Sequence, residues 1–226
     1  MNILIIEPYF TGSHAAWAKG YQKFSRKNVK ILSLDGRYWK WRMHGGAVTL
    51  AKKFMEGDYN PDIILATDML DITTFMSLTR SRTAEIPVAI YFHENQLTYP
   101  WSPDDRDIIK GRDMHYGFIN YSSALAADRV FFNSRYHMDS FLSELEIMLK
   151  GLPDYRELDT VEEIRDKSSV LHLGMDFGVL MQLNQLAGKG VEIQSYYGTT
   201  GGNMTKILQI SLGLSMLFLK RGLISI

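Results

Sequence analysis

Short apolar runs alternate with longer amphipathic ones along the chain, and each apolar run gives way to polar residues at its carboxyl end. Asn2–Glu7, Val29–Leu34, Pro61–Asp68, Val88–Phe92, Arg129–Ser134 and Ser169–Asp176 read as strands. Val88-Ala-Ile-Tyr-Phe92 has no polar alternate residue, which suits a strand buried on both faces of a parallel sheet. Between these runs, apolar residues recur at helical spacing over about 15–27, 47–55, 69–79, 115–127, 136–149 and 161–167. Strand and helix in alternation predict an α/β fold, a doubly wound parallel sheet.

In such sheets ligands bind just beyond the carboxyl ends of the strands. Four hydrogen-bonding side chains, His93, Glu94, Asn95 and Gln96, follow Phe92 directly, and Tyr99-Pro-Trp101 adds rings that can stack a planar or sugar group. A polar loop that merely caps the strand is the bland alternative. The first strand ends in Pro8-Tyr-Phe-Thr-Gly-Ser-His14 ahead of a helix, so Gly12, Ser13 and His14 can offer backbone N–H groups to an anion or a sugar hydroxyl. A single glycine in this turn leaves the dinucleotide fingerprint unmet and disfavours an NAD site. Thr67-Asp68 closes the third strand, with Asp68 either a site residue or a helix cap. Asn133 and Ser134 close the fifth, where capping of the next helix is the more expected role.

Gly36-Arg-Tyr-Trp-Lys-Trp-Arg-Met-His-Gly-Gly46 reads as a loop between glycines that crowds Trp39, Lys40, Trp41, Arg42 and His44 together. Aromatic rings interleaved with cations suit unpaired bases and phosphates, unless the indoles pack under the sheet. Net charge is zero over the 226 residues, yet residues 1–55 hold ten Lys/Arg against Glu7 and Asp35. That imbalance favours a polyanionic partner, or else marks solvated helix faces. There is no cysteine, hence neither a disulfide framework nor a thiolate metal site. No basic n-region precedes the first strand and no apolar stretch is long enough to span a bilayer, so the expectation is a cytoplasmic protein without a membrane partner.

Glu7-Pro-Tyr-Phe-Thr-Gly-Ser-His14, Tyr38-Trp-Lys-Trp-Arg-Met-His44, Phe92-His-Glu-Asn-Gln96, Phe131-Phe-Asn-Ser134 and Leu173-Gly-Met-Asp176 together resemble the tRNA-queuosine mannosyltransferase family. The resemblance covers residues 1 to about 178 and implies the N-terminal, Rossmann-like acceptor-side half of a GT-B glycosyltransferase. It implies GDP-mannose as donor substrate, tRNA containing queuosine as partner, retention of the α configuration, and no cofactor or catalytic metal. His93 would hydrogen-bond the donor sugar, and the Gly12 turn would lie under the reacting sugars and donor phosphates. Glu94 and Asp68 could polarise an acceptor hydroxyl. Asp105-Arg-Asp107 lies in a charged stretch, 103–113, that reads as a mobile surface loop rather than a metal motif. Two other readings remain open: a GT-B enzyme acting on a glycan or lipid, and a non-catalytic RNA- or nucleotide-binding module.

The tail, 179–226, departs from the pattern. It holds five formal charges, its Gly198-Thr-Thr-Gly-Gly202 breaks any helix or strand, and it stands where a second GT-B domain is expected. Joining the third base of each codon from Ser195 onward to the first two bases of the next permits Ile-Leu-Trp-Asn-His-Arg-Trp-Glu-Tyr-Asp-Lys-Asn-Pro, with the Asp forced by Met204-Thr205. That string resembles the opening of the family's second domain. A frameshift between about Phe177 and Val191 is therefore expected, leaving the residues beyond it without an evolved fold and this chain inactive alone.

Overall fold

The computed structural model describes residues 1–102, 104–110, 114–174, 193–200 and 203–210. The chain divides into two compact units, Met1–Leu173 and Gly174–Ile226. In the first, β1 (Asn2–Phe10), β2 (Asn28–Asp35), β3 (Ile63–Thr67), β4 (Val88–Phe92), β5 (Arg129–Phe132) and β6 (Ser168–Val170) form one parallel sheet in the order β2-β1-β3-β4-β5-β6. Helices α1 (Gly12–Phe24), α2 (Trp39–Glu56), α3 (Ile72–Thr83), α4 (Arg106–Ile109), α5 (Met114–Ala126), α6 (Arg135–Lys150) and α7 (Asp159–Asp166) flank it. The expected α/β, Rossmann-like architecture is the one observed.

Period-two alternation explains how the sheet is held. Leu4, Ile6, Ile64, Ile90, Phe92, Val130 and Phe132 share a large core with Leu50, Phe54, Phe75, Phe141 and Leu145 of the helices. Ile3, Ile5, Leu65 and Tyr91 point the other way, onto Ala18 and the partly buried Trp17 and Tyr21 of α1. Strand order reverses between β1 and β3, which pair Ile3–Ile6 with Ile63–Ala66. The crevice beyond their carboxyl ends is the topological switch point where this class of sheet takes its ligands.

Helix boundaries depart from the sequence pattern in one informative place. The stretch 36–46 is not a loop, because α2 already starts at Trp39. Tyr38 stands before it in the left-handed region (φ 54°), which sets the entry angle. The buried stripe Met43, Gly46, Ala47, Leu50, Ala51, Phe54 runs at helical spacing through the glycine pair. Gly46 eases the approach there, since a Cβ would stand a tight 3.3 Å from the Cβ of Pro8 in β1. The helix α1 likewise begins at Gly12 rather than Ala15. Asp71, not Asp68, caps α3 by accepting from Thr74 N–H, and Ser134 caps α6 by accepting from His137 N–H.

In the second unit, β7 (Ile193–Thr200) and β8 (Asn203–Ile210) pair antiparallel. Strand β7 runs through Gly198, where the sequence suggests a break, consistent with the extended preference of the surrounding Tyr and Thr residues. Residues 175–192, 201–202 and 211–226 lie outside the described residues, and with them Met175, Asp176 and most of the tail.

Candidate functional site

Two histidine–carboxylate pairs meet at the switch point. Toward the carboxyl end of β1, Glu7 is fully buried, accepting from Tyr9 N–H through Oε1 (2.8 Å) and facing His14 Nδ1 through Oε2 (3.0 Å). One strand over, Asp68 is buried at the end of β3; its Oδ1 accepts from the His93 backbone N–H (2.8 Å) and faces His93 Nδ1 (3.3 Å). The two imidazoles lie against each other, centroids 4.3 Å apart and 32° from parallel. Trp17 of α1 meets the His93 ring edge-on at 4.8 Å while stacking on Tyr91 at 4.7 Å, which fixes the ring from behind.

A carboxylate can only accept, so both Nδ1 atoms carry protons and both Nε2 atoms are left to face other partners. His93 is buried to 7 % side-chain exposure, and among the described residues its Nε2 has no hydrogen-bond partner. A buried polar atom without a protein partner is free to meet a ligand group or an ordered water. For His14, burial pulls toward the neutral form, but the Glu7 hydrogen bond and charge, with Asp68 and Glu94 behind them, outweigh it and push the pKa up to about 9. His14 is therefore a buried cation at neutral pH. Burial, helped by the charge of Asp68, pushes Glu94 up to about 7. Burial also opposes ionisation of Asp68, yet the His93 hydrogen bond and the His14 and His93 charges hold it below the usual carboxylate range.

The pairs rest on a buried polar scaffold that sequence alone does not show. Asn120 of α5, fully buried, donates to the Asp68 carbonyl (2.8 Å) and accepts from Gln96 N–H (2.7 Å). Asn133 donates to the His93 carbonyl (2.8 Å). Its amide NH2 is thereby assigned, so its Oδ1 accepts from His137 Nδ1 at 3.1 Å. Burial holds His137 below its ordinary pKa, leaving a neutral ring whose Nε2 also lacks a partner among the described residues. A cavity of about 270 Å³ opens beside this group, lined by His93, Glu94, Asn133, Ser134, Tyr136 and His137, among others. Asn95 also borders it, but its side chain is engaged by its own turn, accepting from Leu97 and Thr98 N–H and donating to Thr98 Oγ1.

Among the described residues, Glu7, His14 and His93 are the group close enough to hold a metal ion, with candidate ligand atoms within 4.8 Å of one another. A cation would have to displace the proton that Glu7 keeps on His14. The arrangement favours a proton there over a metal.

Residues 2–175 match the family described as tRNA-queuosine alpha-mannosyltransferase N-terminal. The chain belongs to that family. It is also similar to the tRNA-queuosine alpha-mannosyltransferase of Drosophila melanogaster, 33% identical over 177 residues, which cover 78% of this chain and 45% of that protein. The chain thus spans about half the length of this relative. The family takes its name from a mannosyltransferase, and no helix among the described residues is long and apolar enough to cross a membrane.

Within this mannosyltransferase-family domain the site residues expected from sequence separate into three groups. His14, Asp68, His93, Glu94, Asn95, Gln96, Asn133 and Ser134 gather around the crevice and its cavity, with Gly12 (φ +49°) and Ser13 exposed on its rim. Trp39, Lys40 and His44 build an adjoining aromatic group. Trp39 packs with Trp101 and Tyr116 at 5.3 Å each, and His44 stacks on His115 at 4.7 Å. Lys40 Nζ is bound by Asp105 and Asp107, both at 2.6 Å, so these two carboxylates are not free surface charges but a clasp across α2. Tyr9 joins the groups, packing beside Trp39 and Tyr116 and meeting His14 edge-on at 6.1 Å. Trp41 and Arg42 face outward. The sequence reading missed the partnering role of Glu7, although Glu7 closes the apolar run of the first strand as Asp68 closes that of the third, and that repetition is a usable signal. Asn120 and Trp17, both set within helices, carry no such signal.

Proposed function

We propose that this chain is the N-terminal domain of a cytoplasmic GT-B glycosyltransferase that transfers mannose from GDP-mannose to queuosine in tRNA, with retention and without a metal. The stacked histidine–carboxylate pairs at the switch point, in a chain of this family, carry the reading. His93 Nε2, freed by the Asp68 contact at Nδ1, is suited to accept from a donor-sugar hydroxyl. His14, kept cationic by Glu7 behind the rim formed by Gly12 and Ser13, is suited to the charge that collects on a departing diphosphate, an electrostatic contribution strongest in a buried site. In the transfer, the bond from the anomeric carbon to the diphosphate breaks. A bond to an acceptor hydroxyl oxygen forms on the same face, and that hydroxyl's proton leaves with the diphosphate. Glu94, at the cavity, is placed to orient an acceptor group.

The tail fits this reading as an out-of-frame remnant of the second domain. The test incubates the 226-residue chain, and a version restored to the second reading frame, with radiolabelled GDP-mannose. Acceptors are tRNA containing queuosine and queuosine-free tRNA. Label on the queuosine tRNA with the restored protein is the expected result. Label on both tRNAs would refute queuosine as the acceptor, and label on neither would refute the transferase reading.

A further inference from the structure

Trp41, the third residue of the 18-residue helix α2, is 64% exposed and stands off the buried stripe of that helix. Its ring is nonetheless not free. A Cβ added at Gly45, one turn on, would lie 2.7 Å from Trp41 Cε2 and Cζ2, so the indole lies flat against the bare backbone of Gly45. Glycine inside a helix costs about 0.5–1 kcal/mol relative to alanine, and Gly46 beside it already meets the packing need against Pro8. At Gly45 the nearest atoms to such a Cβ all belong to the Trp41 indole.

Around this ring the surface is cationic and aromatic. Tyr38, 78% exposed, precedes it in the left-handed conformation. Arg37 is exposed, and Arg42 is braced by donating from Nε to the Asp35 carbonyl at 3.0 Å. Among the described residues, Lys40 is held by Asp105 and Asp107 while Arg37 and Arg42 have no carboxylate within ion-pair distance. Here an indole is flanked in sequence by two guanidinium groups that have no carboxylate partner among the described residues. That arrangement matches the alternation of base and phosphate along an unpaired strand.

We infer that Trp41, seated on Gly45 and flanked by Arg37, Tyr38 and Arg42, is a preformed stacking platform for one unpaired base of an RNA loop, with the arginines on the adjoining phosphates. The inference rests on the reading that tRNA is the substrate and locates where the loop docks. Because the ring is already held, little side-chain entropy is lost when a base stacks on it.

Gly45→Ala separates this from a general charge effect, since it removes no ring and no cation but displaces the indole. The experiment measures fluorescence anisotropy of a labelled, queuosine-free anticodon stem–loop with the 226-residue chain at fixed salt, beside Trp41→Ala, Trp41→Phe and Gly45→Ala. Melting curves confirm that each variant is folded. Trp41→Ala and Gly45→Ala are expected to weaken binding by about 5- to 100-fold, the range for loss of one stacked base. Trp41→Phe should retain most of the affinity, and a fully paired RNA hairpin should compete poorly. Wild-type affinity in both Trp41→Ala and Gly45→Ala overturns the platform, as does equal competition by the paired hairpin or absence of RNA binding by the wild type. Because the RNA lacks queuosine and no donor is present, none of these results depends on whether mannose is transferred.

Discussion

Replacing Glu7 by glutamine isolates the charge that keeps His14 protonated. The variant retains an oxygen for Tyr9 N–H at nearly unchanged volume, but the buried carboxylate facing His14 Nδ1 at 3.0 Å becomes neutral. In the wild type, His14 is raised from 6.5 to about 9. A raised pKa means that the folded state binds the proton more tightly than the unfolded chain. The resulting stability is fully present below 6.5 and is lost as pH climbs through 9, and a shift of this size corresponds to about 3 kcal/mol as an upper bound. For a domain of this length that is a fall in Tm of roughly 6–12 °C.

The window is separable from other titrations. Glu94, raised by burial and Asp68 to about 7, loses its contribution between 4.5 and 7. His137, lowered by burial, acts below 6.5, and Tyr91 and Tyr116, both raised by burial to about 12, act above 10. The groups facing His14 are Glu7, Asp68, Glu94 and His93. Thermal melts from pH 6.5 to 9 should therefore slope downward for the wild type and run nearly flat for Glu7→Gln, whose His14 has lost its main partner. A wild type that is flat across the window, or a variant that keeps the slope, would refute the assignment of His14 as a buried cation.

Asp68→Asn in the frame-restored protein should lower kcat for mannosyl transfer about 100-fold. The KM for tRNA should stay unchanged, because only the proton position and orientation of His93 are disturbed; steady-state kinetics read both, and an unchanged kcat would contradict the role. Gly36→Ala would put a Cβ 2.3 Å from Thr11 Cβ, so the residue before α1 must move, at about 1–3 kcal/mol in denaturant melts. Ser134→Ala removes the cap of α6 and should cost about 1 kcal/mol by the same assay. Sequencing the gene should show Tyr197 as TAT, Thr199 as ACC and Gly201 as GGT, the codons that the second-frame string requires; any other codon at these positions removes the frameshift reading of the tail.

Much of the fold was legible because a parallel sheet leaves a strong imprint. Runs such as Ile3–Ile6 and Val88–Phe92 are apolar on both faces, and in a strand only double burial accounts for that. The crevice was legible for the same reason, since His93, Asp68 and His14 follow apolar runs whose carboxyl ends share one edge of a parallel sheet. Pairing was not. Glu7 and His14 are seven residues apart and Asp68 and His93 twenty-five, so neither contact has a periodicity to betray it.

The stretch 36–46 shows the other limit. Its glycines and aromatics look like a loop because helix propensity counts glycine as a break wherever it stands. Here Gly46 eases the approach of α2 to Pro8 and Gly45 leaves room for the Trp41 ring, so the residues that argue against a helix locally are accommodated by close contacts within it. Once the segment is helical, neighbours in sequence part company. Trp39 and Lys40 turn toward Trp101, Tyr116 and the Asp105–Asp107 clasp, while Tyr38 and Trp41 face solvent. One basic-aromatic motif thus splits into a wall beside the crevice and a surface beyond it. The wall itself leads inward, since Tyr9 packs in the same cluster as Trp39 and Tyr116 and meets His14 edge-on, so the part of the motif that turns toward the crevice is joined to the histidine pairs by ring contacts while Trp41 is not.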